Sequence, residues 1–168
     1  MNNLIIGGNS RFGKILVKSL PGTYLSRQDF DLLDPDFNQF KNTTVDNVIF
    51  LSKGNSMNFS NAGKVCDSMF HLLDIIKYNT AWIFTSGLGT YGGSKNQDSL
   101  FYSAEKALIN FVAYKKNNGL GNIKIIHPGH MDTEDTYQNM VDEFLKLLNN
   151  PPLKNSIWSL PKKTYIPF

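Results

Sequence analysis

Tyr102 and Lys106 are four residues apart, a spacing that places two side chains on the same face of a helix. An ammonium group beside a phenol favours the phenolate, so it lowers the pKa of the tyrosine from its usual value of about 10. A tyrosine with a lowered pKa can exchange a proton with an oxygen near neutral pH. Ser86 lies 16 residues before Tyr102, at the end of an apolar run. Its hydroxyl is a third group that could converge on one reacting carbonyl.

This spacing alone does not identify an active site. A tyrosine and a lysine one turn apart also occur on ordinary solvated helix edges, so the pattern has a high rate of chance matches. The elements and motifs around the pair must therefore decide between the two interpretations.

Length and composition favour a soluble globular enzyme or binding protein. The 168 residues predict one domain, 1–168, with 41% hydrophobic and 18% charged residues. The net charge is only +3, and the lysines and arginines are scattered along the chain. We therefore expect neither a nucleic-acid nor a membrane partner.

The single cysteine, Cys66, excludes an internal disulfide and fits a reducing compartment. It is expected to be a buried helix residue. The apolar run at the amino end is too short for a signal peptide, so a cytoplasmic location is expected. The three histidines, His71, His127 and His130, have no Cys, Asp or Glu at metal-ligand spacing, and we expect no metal site. His127 and His130 flank a Pro-Gly turn, where either could contact a ligand, but a position on a loop or the surface is the favoured interpretation.

Strands and helices are predicted to alternate along the chain. Short apolar runs predict strands at 4–6, 23–26, 45–52, 81–85, 123–126 and 155–160. Apolar residues at helical spacing predict helices at 11–20, 35–40, 62–77, 100–116 and 137–148. Such alternation is typical of a parallel sheet covered by helices on both faces, which is an α/β fold.

A glycine-rich loop, Gly7-Gly8-Asn9-Ser10-Arg11-Phe12-Gly13, joins the first predicted strand to the first helix. Small residues at this place let the backbone approach a pyrophosphate, and the start of the helix offers unpaired N–H groups. Dinucleotide binding is the favoured interpretation, because the loop has the required strand and helix on its two sides. The alternative is a glycine-rich turn in an unrelated α/β domain.

The residues after the second strand bear on the choice of nucleotide. An acidic residue there would bind a ribose 2′-hydroxyl, but Ser26 and Arg27 come first and Asp29 follows. Arg27 and Arg11 are suited to a 2′-phosphate, which favours NADP over NAD. Both arginines would otherwise be plain surface charges.

Together these segments resemble the short-chain dehydrogenase/reductase family, and the resemblance runs from Leu4 to about Leu160. The glycine loop is similar to the family's nucleotide fingerprint, with the longer glycine spacing of its extended members and of the dehydrorhamnose reductases. Asp31-Leu32 resembles the pair that contacts adenine. Leu51-Ser52-Lys53-Gly54 stands where the family has Asn-Asn-Ala-Gly, and Pro128 to Thr133 matches its P-G-x-x-x-T.

The resemblance implies a Rossmann-like doubly wound sheet and a set of site residues. Ser86, Tyr102 and Lys106 match the catalytic Ser, Tyr and Lys, and Asn61 is the nearest candidate for the catalytic Asn. The implied cofactor-binding residues are Gly7, Asn9, Ser10, Arg11, Phe12, Gly13, Arg27, Asp31, Leu32, Leu51, Ser52, Lys53, Tyr102, Lys106, Pro128, Gly129, Met131 and Thr133.

The chain also departs from the family. Only the glycine of Asn-Asn-Ala-Gly is retained, and the chain is short around the second helix and after Thr133, where the family covers its substrate. The pocket is therefore expected to be open, or to be completed by a partner.

The function that this resemblance implies is hydride transfer between NAD(P) and a small carbonyl or alcohol, and Arg11 and Arg27 favour NADP(H) over NAD(H) as the cofactor. A nucleotide-sugar epimerase or dehydratase would use the same Tyr and Lys, but would need a large substrate domain after Thr133. A non-catalytic NADP-binding sensor or accessory subunit is the alternative of another class. The resemblance further implies a homodimer or homotetramer through the helices at 62–77 and 100–116, with Phe70, Leu108 and Phe111 as candidate contacts.

Overall fold

The structure is a computed structural model that describes residues 1–51, 58–85, 97–117, 122–128, 133–151, 156–160 and 164–167. Residues 97–103, 114, 115, 117, 156–160 and 164–167 are described as backbone only. Ser86, Ser52, Lys53, Gly129 and Met131, which the sequence predicts at the site, lie outside the described residues.

Seven strands form one sheet. Their order is β2-β1-β3-β4-β5-β6-β7, with β1 to β6 parallel and β7 antiparallel to β6. The strands are β1 (Asn3–Ile6), β2 (Thr23–Leu25), β3 (Thr44–Phe50), β4 (Lys77–Phe84), β5 (Ile123–Pro128), β6 (Ser156–Leu160) and β7 (Thr164–Pro167). The Rossmann-like, doubly wound prediction is confirmed.

Helices cover both faces of this sheet. They are α1 (Arg11–Leu16), α2 (Phe59–Ile75), α3 (Gln97–Asn117) and α4 (Glu134–Asn149), with a short 3-10 helix at Phe37–Phe40. One core cluster lies between the sheet, α2 and α3, and contains Val48, Ile83, Met69, Leu72 and Ile109. The other lies between the sheet, α1 and α4, and contains Ile49, Trp82, Phe12, Leu16 and Phe144. Neighbouring strand residues enter opposite clusters because side chains alternate along a strand.

The structure differs from the predicted elements in several places. The helix predicted at 11–20 ends at Leu16, the one predicted at 35–40 is the 3-10 helix Phe37–Phe40, and two further differences change the sheet. β4 begins at Lys77, within the segment predicted as the end of a helix, because Lys77 to Thr80 pair with β3 from Thr44 onwards. The segment predicted as the last strand is followed by β7, so the sheet is not wholly parallel.

Two asparagines and a tryptophan form a hydrogen-bonded row within the sheet. The side chain of Asn3 donates to the carbonyl of Pro21 at 2.8 Å, and that of Asn47 donates to Asn3 Oδ1 at 2.9 Å. Trp82 Nε1 donates to Asn47 Oδ1 at 3.0 Å, and the side chains of Asn3, Asn47 and Trp82 are buried. Asn47 is therefore the central residue of the row, because its side chain forms hydrogen bonds with Asn3 Oδ1 on one side and with Trp82 Nε1 on the other.

Asn47→Ala is expected to lower the free energy of unfolding by about 2–4 kcal/mol, because two buried polar atoms lose their partners at about 1–3 kcal/mol each. Urea denaturation measures the change. Asn79→Ala is the matched control, because Asn79 is exposed and donates to Asp46. Its effect should stay within about 0.5 kcal/mol. Equal effects of the two substitutions would contradict the importance of the buried row.

Candidate functional site

The order of the strands defines where a ligand would bind. From β1 the chain proceeds to β2 on one side, whereas β3 and all later strands lie on the other side. In open α/β sheets, ligands bind outside the carboxyl ends of the strands at such a reversal. The glycine loop follows β1 directly at this edge, and Leu51 follows β3.

The loop after β1 is held tightly against the end of β2. The N–H groups of Gly7 and Gly8 both donate to the carbonyl of Leu25, at 2.8 and 2.9 Å, and Ser10 N donates back to the carbonyl of Gly7 at 2.9 Å. Gly7 has a φ of 93°, a conformation that glycine adopts without strain. The loop therefore has a defined shape before any ligand is bound.

Gly13 allows α1 to pack directly on this loop. A Cβ at Gly13 would lie 2.5 Å from the carbonyl oxygen of Gly8, which is a backbone atom. Ser10 caps α1, since its Oγ accepts from Gly13 N at 3.0 Å. Close packing of the helix start on a glycine loop is the arrangement that dinucleotide-binding loops use, so these residues fit that group.

Both candidate 2′-phosphate ligands have partners within the chain. The guanidinium of Arg11 lies 4.8 Å from the ring centre of Tyr137 on α4. Arg27 Nε donates to Asp31 Oδ2 at 2.9 Å, so the residue predicted to bind phosphate is paired with the residue predicted to contact adenine. Arg27 is well exposed, and an exposed ion pair of this kind contributes only about 0–1 kcal/mol. A phosphate could therefore displace it at small cost.

Three predicted cofactor-binding residues have their side chains in the core. Phe12 contacts the ring of Phe84 with centroids 4.9 Å apart, and Leu32 and Leu51 are buried in the two core clusters. Their side chains stabilise the fold, so only their backbone groups remain for a ligand. Asn9, which lies in the same glycine loop as Phe12, is exposed.

Pro128, Thr133 and Asn61 all lie at helix or strand ends. Pro128 is the last residue of β5, and Thr133 caps α4, with its Oγ accepting from Thr136 N at 3.3 Å. Asn61 lies in the first turn of α2, where its backbone N donates to the capping side chain of Asn58 at 2.8 Å.

Lys106 lies on α3, one turn after Tyr102 as the spacing predicts. Its side chain is only 3% exposed, and Nζ lies 3.1 Å from Oε1 of the adjacent Glu105, whose side chain is 0% exposed. The backbone of α3 thus confirms the helical relation between Tyr102 and Lys106. The side chain of Tyr102 is outside the described atoms, as is Ser86.

A buried histidine lies beside the candidate site. His127 Nδ1 and Thr85 Oγ1 are 3.0 Å apart, and they link the carboxyl ends of β5 and β4. Thr85 directly precedes Ser86, and both Thr85 and His127 alternate onto the sheet face covered by α3. The expectation that His127 lies on a loop or the surface is wrong: it is 8% exposed, because β5 continues to Pro128.

The burial of His127 predicts a loss of stability in acid. Desolvation lowers its pKa from 6.5, against a smaller raising effect of a hydrogen bond to Thr85. As the pH falls below 6.5 the unfolded chain binds a proton that the folded chain does not, so the free energy of unfolding falls until the folded pKa is passed. His127→Leu should remove this part of the acid dependence.

Urea denaturation across the acid range measures this effect. Wild type and His127→Leu should converge in stability as the pH falls. His71→Leu is the matched control, because His71 is an exposed histidine on α2. Parallel pH curves for wild type and His127→Leu would contradict the buried, neutral state of His127.

Two further residues escaped prediction from the sequence. Glu105 lies between Tyr102 and Lys106, and the sequence pattern predicts no role for it. Asn110 lies one turn after Lys106, and its side-chain N and O are buried with no hydrogen-bond partner among the atoms that the structure describes. Buried amides are nearly always satisfied, so such an exception marks a place for water or ligand. The four-residue spacing of Tyr102, Lys106 and Asn110 is the signal that could have identified it.

Two searches of the described residues found nothing. Among the residues that the structure describes, no group of three or more His, Cys, Asp or Glu could hold a metal ion. In the same part of the chain, no helix is long and apolar enough to cross a membrane.

Comparison with solved structures found proteins of similar fold. A carbonyl reductase from Pseudomonas aeruginosa PAO1, crystallised with NADP, matches with a TM-score of 0.66 over 100% of both chains, at 8% sequence identity. The two proteins therefore share a fold. The oxidoreductase ylbE from Lactococcus lactis matches at 0.56 and 17% identity, over 89% of this chain and 85% of its own.

A dTDP-4-dehydrorhamnose reductase from Clostridium acetobutylicum also matches, with a TM-score of 0.56 and 10% identity over 95% of this chain and 73% of its own. No protein-family model matches the sequence, and no curated protein does. The likeness is therefore one of fold.

Proposed function

We propose that the protein is an NADP(H)-dependent oxidoreductase of the short-chain dehydrogenase/reductase type, acting on a small carbonyl or alcohol. The observation that carries the proposal is the match of the entire chain to a reductase crystallised with NADP. That neighbour is matched over its whole length, so the short chain is no obstacle to the fold of a reductase. The packed glycine loop and the buried Lys106 on α3 support the proposal.

Each residue has a separate part in the proposed reaction. Ser86 donates a hydrogen bond to the substrate oxygen, where negative charge develops. Tyr102 gives that oxygen its proton in reduction and takes it back in oxidation, and the positive charge of Lys106 makes the phenol a better acid. The nicotinamide supplies or accepts the hydride, and the protein supplies orientation and electrostatics.

Thermal unfolding with NADPH and with NADH tests the cofactor part of the proposal. Saturation at about 100 times Kd stabilises a protein by about 2.7 kcal/mol, which is a rise in Tm of roughly 5–10 °C for this size. We expect this rise with NADPH and a smaller one with NADH. A larger rise with NADH would assign NAD instead, and no rise with either would contradict nucleotide binding.

A nucleotide-binding sensor or accessory subunit is the second candidate. It is favoured by one observation, the sequence Leu51-Ser52-Lys53-Gly54, which keeps only the glycine of the family's Asn-Asn-Ala-Gly. The two functions differ in turnover. Binding of NADPH with no oxidation of it on a panel of aldehydes and ketones would support the sensor, whereas turnover that depends on Tyr102 would exclude it.

We further propose that the protein forms a homodimer through α3. Leu108 and Phe111 are 37% and 60% exposed on this helix. Phe70 is not available for the interface, because it is buried in the core. Phe111→Glu should shift the mass in sedimentation from twice the 19.0 kDa of one chain to a single chain. A charge at an apolar interface is expensive to bury.

Val17→Glu is the matched control for the dimer. Val17 is 50% exposed and follows α1, which packs on the opposite face of the sheet from α3. It should leave the assembly unchanged. A wild-type protein that sediments as a single chain at micromolar concentration would contradict the proposed dimer.

A further inference from the structure

Glu105 and Lys106 form an ion pair between neighbouring residues of one helix. Adjacent helical side chains diverge and do not normally face each other. Here Nζ and Oε1 are nevertheless 3.1 Å apart, and the side chains are 3% and 0% exposed. Lysine and glutamate are almost never buried this fully unless they are paired. The contact is therefore built into the packing of α3 and is not an accident of an exposed surface.

Another buried lysine shows what burial does in this protein. Lys124 on β5 is 2% exposed, close to the exposure of Lys106. Desolvation lowers the pKa of Lys124 to about 8. An ammonium as deeply buried as Lys106, if it had no carboxylate beside it, would meet the same desolvation cost.

We propose that Glu105 is a positioning residue that keeps Lys106 protonated and fixes its ammonium within α3. The effect of Glu105 on catalysis rests on the proposed function, in which the positive charge of Lys106 makes Tyr102 an effective acid. Glu105 is thereby added to the proposed active site. Its carboxylate offsets the desolvation of the Lys106 ammonium, which would otherwise lose its proton in mildly alkaline solution.

Two titratable groups on the elements packed against α3, Cys66 and His127, keep a constant charge in that range. Lys124 on β5 does not, because burial lowers its pKa to about 8, but it alternates with Ile125 and so lies on the opposite face of the sheet from α3. From α2, the thiol of Cys66 faces Glu105, and its pKa is raised to about 12 by burial and by the charges of Asp67 and Glu105. From β5, His127 has its pKa lowered from 6.5 by burial. The side chains of Cys66 and His127 are neutral in mildly alkaline solution. Lys124 titrates there in the wild type and in the variant alike, so a difference between the two proteins reports on Lys106, Glu105 or Tyr102.

The test is a pH titration of the lysine side chains by NMR, using protein with ¹³C-labelled lysine and no cofactor. Lys106→Met identifies the Lys106 signal by its loss. Glu105→Gln should lower the pH at which Lys106 titrates by about one unit or more, a tenfold or greater weakening of proton binding. The same variant should show a decline of kcat/KM in mildly alkaline solution that the wild type lacks.

Glu143→Gln is the matched control. Glu143 pairs with Lys146 at 2.8 Å on α4, across the sheet from α3, so the substitution removes the same charge without touching the pair. The Lys106 signal should titrate as in the wild type. If Glu105→Gln fails to fold, Glu105→Asp takes its place, because it keeps the charge but shortens its reach and should give a smaller shift in the same direction.

The outcomes separate this inference from the proposed function. A Lys106 titration that stays unchanged in a folded Glu105→Gln protein would overturn the inference and leave Glu105 a purely structural residue. A titration that moves as expected, in a protein that neither binds nucleotide nor turns over a carbonyl, would support the role of Glu105 and refute the oxidoreductase.

Discussion

Tyr102→Phe is expected to lower kcat/KM for carbonyl reduction by about 10³-fold, with the Tm rise by NADPH preserved. The substitution removes a single oxygen from the group that passes a proton to the substrate, and general acid catalysis contributes about 10²–10⁴ to the rate. The remaining groups still orient the substrate, so the activity should fall without vanishing. Initial rates of NADPH oxidation and thermal unfolding measure the two parts.

Tyr78→Phe is the matched control for this loss. Tyr78 is a partly buried tyrosine near the amino end of β4, far from the carboxyl edge where the glycine loop lies, and burial raises its pKa, with a further rise from the charge of Asp74. Its loss should change kcat/KM by less than about twofold. Activity that survives Tyr102→Phe at the wild-type level would refute the proposed catalytic role, and a parallel loss of NADPH binding would indicate a damaged fold.

The longer periodic segments were predictable because their side chains follow one rule throughout. The apolar spacing of α2 matches the buried residues Val65, Met69, Leu72 and Leu73, and the apolar run at 48–51 is a central strand buried on both faces. In such segments local pattern and tertiary packing agree, so the period alone identifies the element.

The exceptions occur where pairing overrides local pattern. The residues Lys77 to Thr80 are polar and follow a helix, yet they are a strand because β3 lies beside them and offers its backbone. β7 is an edge strand containing a proline, and the residue pattern does not express its antiparallel pairing with β6. Both pairings depend on residues that are not neighbours in the local pattern, so a single sequence does not reveal them.

The candidate site likewise has features that the local pattern predicts and features that depend on tertiary packing. Spacing predicted that Tyr102 and Lys106 share a helix face and that the glycine loop opens a helix, and the backbone confirms both. Burial was not predictable, because it depends on which elements pack together. Glu105 and His127 are polar residues that any sequence rule would place at the surface, and the structure buries both beside the site.

Gly13→Ala should abolish the Tm rise by NADPH and lower the free energy of unfolding by about 1–3 kcal/mol. The new Cβ would lie 2.5, 2.9 and 3.0 Å from the carbonyl oxygen, carbonyl carbon and Cα of Gly8. These are backbone atoms, so no rotation of a side chain relieves the clash, and α1 and the loop must move apart. The loop that would receive the phosphates then loses its shape.

Gly63→Ala is the matched control and should have the opposite effect on stability. Gly63 lies within α2, and a Cβ there meets nothing within 4 Å. Alanine is the better helix former, so a gain of about 0.5–1 kcal/mol is expected with the NADPH response unchanged. The same chemical change thus distinguishes the two positions by their surroundings alone. If Gly13→Ala keeps a full response to NADPH, the loop after β1 does not bind the nucleotide, and the cofactor must be bound elsewhere.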